Sequence, residues 1–457
     1  MKLSPHPDCL LLSFQEERAL PWILDRSGLS SNVNAAVSCA GHLDAARLQR
    51  CLDAAAQRHD AIRTRFETDP GGGFRRVLIP DAHAATHLTT LVLGDTPTDP
   101  VVERCLADFC NRAFHIEDPH WLRAILLHTG DGSSVLALCM PHIVSDAVSM
   151  RMLITQLWRD HAALARGRPL PDLATRWQLR DFAGSQRAWG ASPEFGAQLD
   201  ALTAQTLHGI EEMRAARSAS LLRDLRPPAA SHSVAIRQQL SPALSEGLAR
   251  LARDTRAGMF NTLTAGASLA LARLFQLRHL CLRMPFSNRA LAGTEHIVGF
   301  LANDVPLFIR VDEAESTRAF IRHVQQGSLW MMRSGALPWS LLNARLQADP
   351  VLATDGNPFD DFLVNIFPPA DDLLVEDDPA GVYRARKHPL SLSGFTTNIL
   401  KIWMHTANHQ TGLILRVAEG QQALATDIYL PAFLQVFEAM VLAPDRPVGE
   451  LLEDAAA

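Results

Sequence analysis

The segment Met140–Ala147 holds the residues whose types and spacing best suit chemistry. An apolar run ends at His142 and a helical pattern begins near Asp146, which places the histidine on a turn between a strand and a helix. On such a turn a ring nitrogen can face a cleft, and the ordinary imidazole pKa of about 6.5 suits proton transfer near neutral pH. The pattern therefore makes His142 the candidate catalytic group.

Two neighbours of His142 also carry oxygen atoms that could take part in chemistry. Asp146 falls at or near the N-cap of the following helix, where a carboxylate stabilises the helix by about 1 kcal/mol. Ser145 could suggest a serine nucleophile, but no G-x-S-x-G elbow surrounds it. Asp146 is therefore interpreted as support for the turn, and Ser145 is set aside.

The elements that must position this turn alternate between helical and strand-like patterns, which predicts an α/β or α+β protein. Leu43–Arg58 carries apolar residues at helical spacing. The short apolar runs Trp121–His128 and Ser134–Met140 are separated by glycines and predict a hairpin. The helix that begins near Asp146 is predicted to stop at Gly167.

The chain of 457 residues is long enough for about three domains of roughly 150 residues, or for two large lobes. Proline-rich breaks occur at Gly167–Pro171 and at Arg226–Ala230. We place the lobe boundary near residue 175. The N-terminal lobe, 1–175, then carries the H-x-x-x-D motif, and 176–457 forms the C-terminal lobe.

Composition excludes several classes of function. A net charge of −6 argues against a nucleic-acid-binding protein. No run of 18 uncharged apolar residues predicts a membrane-spanning helix, and no secretory signal is present. The 7 cysteines are scattered and form no C-x-x-C pair, so neither a disulfide framework nor a zinc site is expected. These features predict a cytoplasmic protein.

The H-x-x-x-D motif between a strand and a helix resembles the active-site motif of chloramphenicol-acetyltransferase-like acyltransferases. Within that superfamily the sequence is most similar to the condensation domains of nonribosomal peptide synthetases, which have H-H-x-x-x-D-G. Pro141 stands in place of the first histidine and Ala147 in place of the glycine. The second histidine, which the family uses in catalysis, is present as His142.

Other segments resemble family motifs in the family's order, and together they span nearly the whole chain. They are Leu12–Glu16 (S-x-x-Q), Arg58–Phe66 (R-H-x-x-L-R-T-x-F), Arg180–Ala183 (part of Y-x-D-Y/F-A), Met284–Arg289 (P-x-x-N-R), Val298–Leu307 (G-F-F-V-N-T-L-P-L) and Asn357–Phe359 with the downstream Asn365 (N-P-L-F). The third match lacks the aromatic residue and the later tryptophan of the family motif. Ordered matches of this kind are far more specific than H-x-x-x-D alone.

The resemblance implies a fold of two chloramphenicol-acetyltransferase-like lobes in a V, with a central tunnel that an acyl donor and an acceptor enter from opposite sides. His142 would lie inside it, where it accepts a proton from the attacking group or orients and stabilises the tetrahedral intermediate. Asp146 would pair with an arginine and hold the turn, and Arg63 and Arg289 are the two candidates.

The resemblance also suggests roles for three further residues. The backbone N–H of Ala147 is a possible oxyanion donor, since alanine keeps the N–H of the family's glycine. Asn303 and Asn365 are expected to line the tunnel, or else to cap local structure. No metal or redox cofactor is indicated by any of these segments.

The implied function is that of a free-standing condensation enzyme. It would move an acyl, polyketide or peptidyl group from a carrier-protein phosphopantetheine thioester onto an amine or hydroxyl. One alternative is an acyltransferase that uses acyl-coenzyme A, although the D-F-G-W-G motif of the plant enzymes is absent. Another is a catalytically inactive, condensation-like recruiting module, which Pro141 and Ala147 keep open.

The partners follow from the same resemblance. No G-G-x-S phosphopantetheine attachment site occurs in the sequence. We therefore expect the donor to arrive on a separate carrier and the small acceptor to diffuse in, with a released ester slightly favoured over an amide. A basic stretch could meet an acidic carrier or form a solvated face: Arg214, Arg217, Arg223 and Arg226.

Overall fold

The computed structural model describes most of the chain and divides it into two compact units. The described residues are 1–6, 10–25, 31–69, 71–80, 86–94, 100–118, 121–170, 177–216, 222, 225–227, 231–348, 358–367, 385–387, 390 and 395–453. The first unit comprises Met1–Phe195, Ser287–Ala302 and Asp372–Gly394. The second unit comprises Gly196–Phe286, Asn303–Asp371 and Phe395–Ala457.

This division corrects the boundary expected near residue 175. The helix that follows, Leu179–Gly190, buries Leu179 and Phe182 in the core of the first unit. Phe300, from the later segment Ser287–Ala302, joins the same core. Sequence breaks mark where a chain can turn, but burial decides the unit to which a helix belongs.

The first unit is built on a mixed five-stranded sheet in the order β11-β1-β6-β5-β4, with a separate β2–β3 hairpin. Its strands are β1 (Asn32–Ala40), β2 (Thr64–Thr68), β3 (Phe74–Leu78), β4 (His87–Val92), β5 (Arg123–His128), β6 (Ser133–Pro141) and β11 (Ala385–Lys387). Its helices are α1 (Phe14–Leu24), α2 (Ala45–Arg58), α3 (Pro100–Asn111), α4 (Ala147–Ala165) and α5 (Leu179–Gly190). The predicted hairpin is confirmed, because β5 and β6 pair antiparallel.

Local sequence explains why the elements next to the motif form where they do. Strand β6 lies in the middle of the sheet and is buried from Ser134 to Pro141, in line with its almost continuous apolar sequence. Helix α4 begins directly after Asp146, whose side chain accepts a hydrogen bond from the Ser149 N–H. The buried strand and the capped helix thus fix both ends of the turn that carries His142.

The second unit is built on a seven-stranded sheet in the order β12-β7-β14-β13-β10-β8-β9. Its strands are β7 (Ser231–Gln239), β8 (His279–Phe286), β9 (Asn303–Arg310), β10 (Phe362–Ile366), β12 (Phe395–Thr396), β13 (Leu400–Ala407) and β14 (Gln410–Ala418). Its helices are α6 (Pro193–Ala215, which begins in the first unit), α7 (Pro242–Thr255), α8 (Gly258–Phe275), α9 (Thr317–Ser334), α10 (Trp339–Gln347), α11 (Leu430–Leu442) and α12 (Val448–Glu453). Alternate residues of its central strands, such as Leu400, Ile402 and Met404, enter the core.

Both units combine sheets with helices, so the predicted mixed α/β class is confirmed. Among the described residues, one helical run, Gln422–Leu442, is long and apolar enough by composition to cross a membrane. It packs Phe433, Val436 and Phe437 into the core of the second unit, as a core helix does. The 6 described cysteines are free thiols.

Candidate active site

His142 lies on a single 3₁₀ turn, His142–Val144, between β6 and α4. Its backbone N–H donates to the carbonyl of Ser31 at 3.1 Å. Its ring Nδ1 lies 2.9 Å from the carbonyl oxygen of Ser145. A carbonyl can only accept, so Nδ1 carries the proton in this contact and Nε2 of the neutral ring keeps its lone pair. The turn thus selects the tautomer that a general base at Nε2 requires.

Two aromatic rings flank the imidazole. The ring of Phe300 has its centroid 4.4 Å from that of His142, and the ring of Trp22 on α1 lies 5.8 Å away. Burial lowers the pKa of His142 below 6.5, and the nearby Asp146 carboxylate opposes this shift. Arg18, whose guanidinium stacks over Trp22 at 5.7 Å, adds to the lowering of the His142 pKa. His142 is therefore mostly neutral at pH 7.

Asp146 uses both carboxylate oxygens and is almost fully buried. Oδ1 caps α4 by accepting from the Ser149 N–H at 2.9 Å. Oδ2 accepts from Arg289 Nη1 at 2.6 Å and from the backbone N–H groups of Leu301 and Ala302, each at 3.2 Å. One carboxylate thus joins the start of α4 to the segment Ser287–Ala302.

Ser149 completes this junction. Its hydroxyl oxygen lies 2.8 Å from Asp146 Oδ1 and accepts from Arg289 Nη2 and from the Gly299 N–H, each at 3.0 Å. Gly299 packs closely on the buried Leu179: a Cβ at 299 would lie 2.6 Å from a methyl group of that leucine and would displace its side chain. The close approach of this segment also places Phe300 against His142.

Of the two candidate partners of Asp146, the structure selects Arg289. Arg63 instead pairs with Asp60 at 2.8 Å and donates to the carbonyl of Ile79 at 2.9 Å. Asp60 also pairs with Arg180 at 3.0 Å. Arg63 therefore helps to hold the loop between α2 and β2, and the expectation that it could pair with Asp146 is wrong.

The remaining predicted site residues are placed as follows. Ala147 is the exposed first residue of α4, and the N–H groups of a first helical turn have no partner within the helix. Asn303 is buried and fully used by backbone: its amide donates to the carbonyls of Gly335 and Leu337, and its oxygen accepts from the Trp339 N–H. This matches the local capping alternative for Asn303. Asn365 is half-buried on β10, opposite Trp403 of β13, in the second unit.

Sequence reasoning missed Ser149, Trp22 and the position of Phe300 beside the histidine. Ser149 could have been found, because a capping Asp binds the N–H three residues later. Trp22 gave no comparable signal, since its contact with His142 joins residues far apart in sequence. Groups that could hold a metal ion are absent from the described part of the chain.

Comparison with known proteins identifies the family of this chain. The condensation-domain family model matches residues 8–354, so the chain belongs to the condensation-domain family. One of the linear gramicidin synthase proteins of Brevibacillus parabrevis is 30% identical over 359 residues, which cover 76% of this chain and 4% of that protein. Tyrocidine synthase 3 of the same organism is 26% identical over 436 residues, which cover 94% of this chain and 6% of that protein. The chain thus spans only a small part of the length of such relatives.

Solved structures share the fold of this chain. The first condensation domain of the calcium-dependent antibiotic synthetase, in complex with a substrate analogue, aligns with a TM-score of 0.78 at 20% identity. The alignment covers 96% of this chain and 97% of that one. SgcC5 from Streptomyces globisporus aligns with a TM-score of 0.73 at 20% identity, covering 95% and 99%. At these identities the likeness concerns the fold.

Proposed function

We propose that this protein transfers an acyl, polyketide or peptidyl group from a carrier-protein phosphopantetheine thioester to a freely diffusing hydroxyl or amine acceptor. The product is a released ester or amide. The observation that carries the proposal is the tautomer of His142, because Nδ1 donates to Ser145 and leaves Nε2 able to accept a proton. Membership of the condensation-domain family supplies the reaction class.

The chemistry proceeds in two steps. The acceptor's oxygen or nitrogen attacks the thioester carbonyl carbon while Nε2 of His142 takes the proton that the nucleophile loses. The tetrahedral intermediate carries an oxyanion, for which the Ala147 N–H at the start of α4 is a candidate donor. Collapse breaks the C–S bond, and the imidazolium returns the proton to the departing thiolate. Asp146 and Arg289 hold the turn and do not exchange protons.

The small hydroxyl acceptor is supported by one structural relative. SgcC5 was solved in complex with (R)-(-)-1-(2-naphthyl)-1,2-ethanediol, a diol that is not attached to a carrier. A hydroxyl acceptor for this chain would give an ester. This is why we favour ester formation over amide formation.

Intact-mass spectrometry of an acyl-loaded carrier, incubated with this protein and a set of free alcohols and amines, tests the proposal. We expect loss of the acyl mass from the carrier and the appearance of the ester or amide. His142→Ala should lower this rate by about 10²–10⁴-fold. His208→Ala, at an exposed position of α6, is the matched control. Transfer only to acceptors tethered to a second carrier would refute release onto a free acceptor.

Coenzyme A thioesters are the second candidate donor. The starter condensation domain of rhizomide synthetase, solved with C8-CoA, aligns with this chain at a TM-score of 0.76 and 16% identity. The same assay with octanoyl-CoA and octanoyl carrier in parallel separates the two donors. If kcat/KM is higher for octanoyl-CoA than for the octanoyl carrier, the coenzyme A thioester and not the carrier is the donor.

A further inference from the structure

Helix α4 presents an exposed face on which every charged residue is positive. Arg151 and Arg159 are exposed there, and Arg166 follows at the C-cap. At 3.6 residues per turn these three positions fall on one side of the helix, which is about 28 Å long. The described part of the chain offers Arg151 and Arg159 no side-chain partner within hydrogen-bonding or ion-pair distance.

The acidic side chain of α4 does not neutralise this face. Asp160 is buried on the other side of the helix and forms an ion pair with Arg58 of α2. Arg168, two residues beyond the C-cap, is exposed and adds a further positive charge. The whole chain carries a net charge of −6, so this local excess of positive charge runs against its overall balance.

The face also has apolar surface at the end nearest the candidate active site. Ala147 is exposed, and Val148 and Met152 are half-buried beside Arg151. Helix α4 begins at Ala147, directly after Asp146 and five residues after His142. A protein bound along this face would therefore sit next to the turn that carries the histidine.

The basic stretch identified in the sequence is a weaker candidate for the same role. Arg226 forms an ion pair with Asp361, at 2.5 Å, that is largely buried. Arg217 and Arg223 lie outside the described residues. The positive charge that the structure shows on an exposed regular element near the site is on α4.

We propose that the exposed face of α4, formed by Ala147, Val148, Arg151, Met152, Arg159 and Arg166, is the docking surface for an acidic carrier protein. This inference rests on the proposed function, which needs a carrier that arrives and leaves in each turnover. Opposite charges speed such encounters and orient the partner, while a small apolar contact keeps the complex transient.

The test is charge reversal with two donors that carry the same acyl group. The donors are an acidic carrier loaded with octanoyl-phosphopantetheine and octanoyl-pantetheine alone, each assayed by mass spectrometry with the same free acceptor. For Arg151→Glu/Arg159→Glu we expect the ratio of kcat/KM for the carrier donor to that for the pantetheine donor to fall by at least 10-fold. The control, Arg104→Glu/Arg250→Glu, reverses two exposed arginines on α3 and α7 and should keep the wild-type ratio.

Three further measurements identify the partner. Raising the salt concentration should lower kcat/KM for the carrier donor in the wild type and have much less effect in the α4 double variant. Reversing acidic residues of the carrier to lysine should restore turnover by the variant. Binding of the wild type to vesicles of anionic lipid, lost in the variant while the donor ratio stays constant, would reassign the face to membranes.

The outcomes separate this inference from the proposed function. If the carrier donor is used and depends on His142, but the α4 variant keeps the wild-type ratio, the docking surface is wrong and the function stands. If a panel of acidic carriers is not used while octanoyl-pantetheine is, both the carrier partner and this surface are wrong.

Discussion

At the scale of single residues, the turn around His142 settles a question that the motif leaves open. H-x-x-x-D specifies a histidine but not which of its two ring nitrogens is free to accept a proton. The 2.9 Å contact between Nδ1 and the Ser145 carbonyl assigns the proton to Nδ1, and so Nε2 is the basic atom. Pro141, which replaces the family's first histidine, serves this turn through its backbone: its carbonyl accepts from the Ser145 hydroxyl at 3.0 Å.

The pH dependence of turnover should follow the fraction of His142 that is neutral. Burial lowers the pKa of His142, and Arg18 adds to this effect, whereas Asp146 opposes it. In the proposed reaction the neutral form is the active one, so kcat/KM, which reports the free enzyme, should be constant above neutral pH and fall as the pH drops through the lowered pKa. We expect the midpoint below 6.5, measured as kcat/KM against pH with a pantetheine thioester donor. A midpoint above 6.5 would show that His142 is not the titrating base.

Trp22 should influence the reaction by changing the pKa of His142. Trp22→Ala removes the ring 5.8 Å from the imidazole and admits water, so the His142 pKa should rise toward 6.5. The acid limb of the kcat/KM profile should move with it. Trp22→Phe keeps an aromatic ring and should give a smaller shift. NMR titration of the His142 ring protons measures the pKa without substrate. If the His142 pKa is unchanged in Trp22→Ala, Trp22 does not influence that pKa.

At the scale of elements, Asp146 and Arg289 join helix α4 to a segment 143 residues away. Their side chains are 3% and 6% exposed, so removal of one partner leaves a buried charge at a cost of about 3–5 kcal/mol. Asp146→Asn keeps the cap of α4 but loses the charge pair. We expect it to lower both the free energy of unfolding, measured in urea, and kcat.

A double-mutant cycle identifies the partner of Asp146. Asp146→Asn combined with Arg289→Gln should be strongly non-additive in urea unfolding, because the two residues are in contact. Asp146→Asn combined with Arg63→Gln should be close to additive, since Arg63 pairs with Asp60. Additivity in the first cycle would contradict the ion pair seen in the structure.

The sequence could predict those features that depend on interactions between residues close together along the chain. The strand, turn and helix around His142 depend on local patterns, and the structure confirms them. The choice of Arg289 over Arg63 depends on which distant segment packs against α4, and local pattern holds no information on it. The same limit applies to Asn303, whose partners at 335, 337 and 339 come together only in the folded chain.

At the scale of the whole molecule, buried histidines link stability to pH. His59 is 1% exposed, and burial lowers its pKa to about 4. At His59 the unfolded chain then binds one more proton than the native state between about pH 4 and 6.5, so the contribution of His59 to stability should fall by about 1.4 kcal/mol for each pH unit by which the pH is lowered across that range. His161 acts in the same direction, whereas Asp361, whose pKa burial raises to about 6, opposes both. Urea unfolding as a function of pH measures the slope. His59→Gln should reduce it, and an equal slope would exclude His59 as its source.

The first unit is not one continuous piece of chain, and this has a consequence for its synthesis. The ribosome synthesises Met1–Phe195 before Ser287–Ala302, the segment that carries Arg289 and Phe300. The nascent N-terminal region therefore holds an Asp146 that lacks its counter-charge, and a histidine that lacks one of its flanking rings. The first unit can complete its folding only after Gly196–Phe286, which belongs to the second unit, has also been synthesised. A fragment that ends at residue 195 should accordingly be loosely packed around His142, and addition of the remaining chain in trans should restore order there.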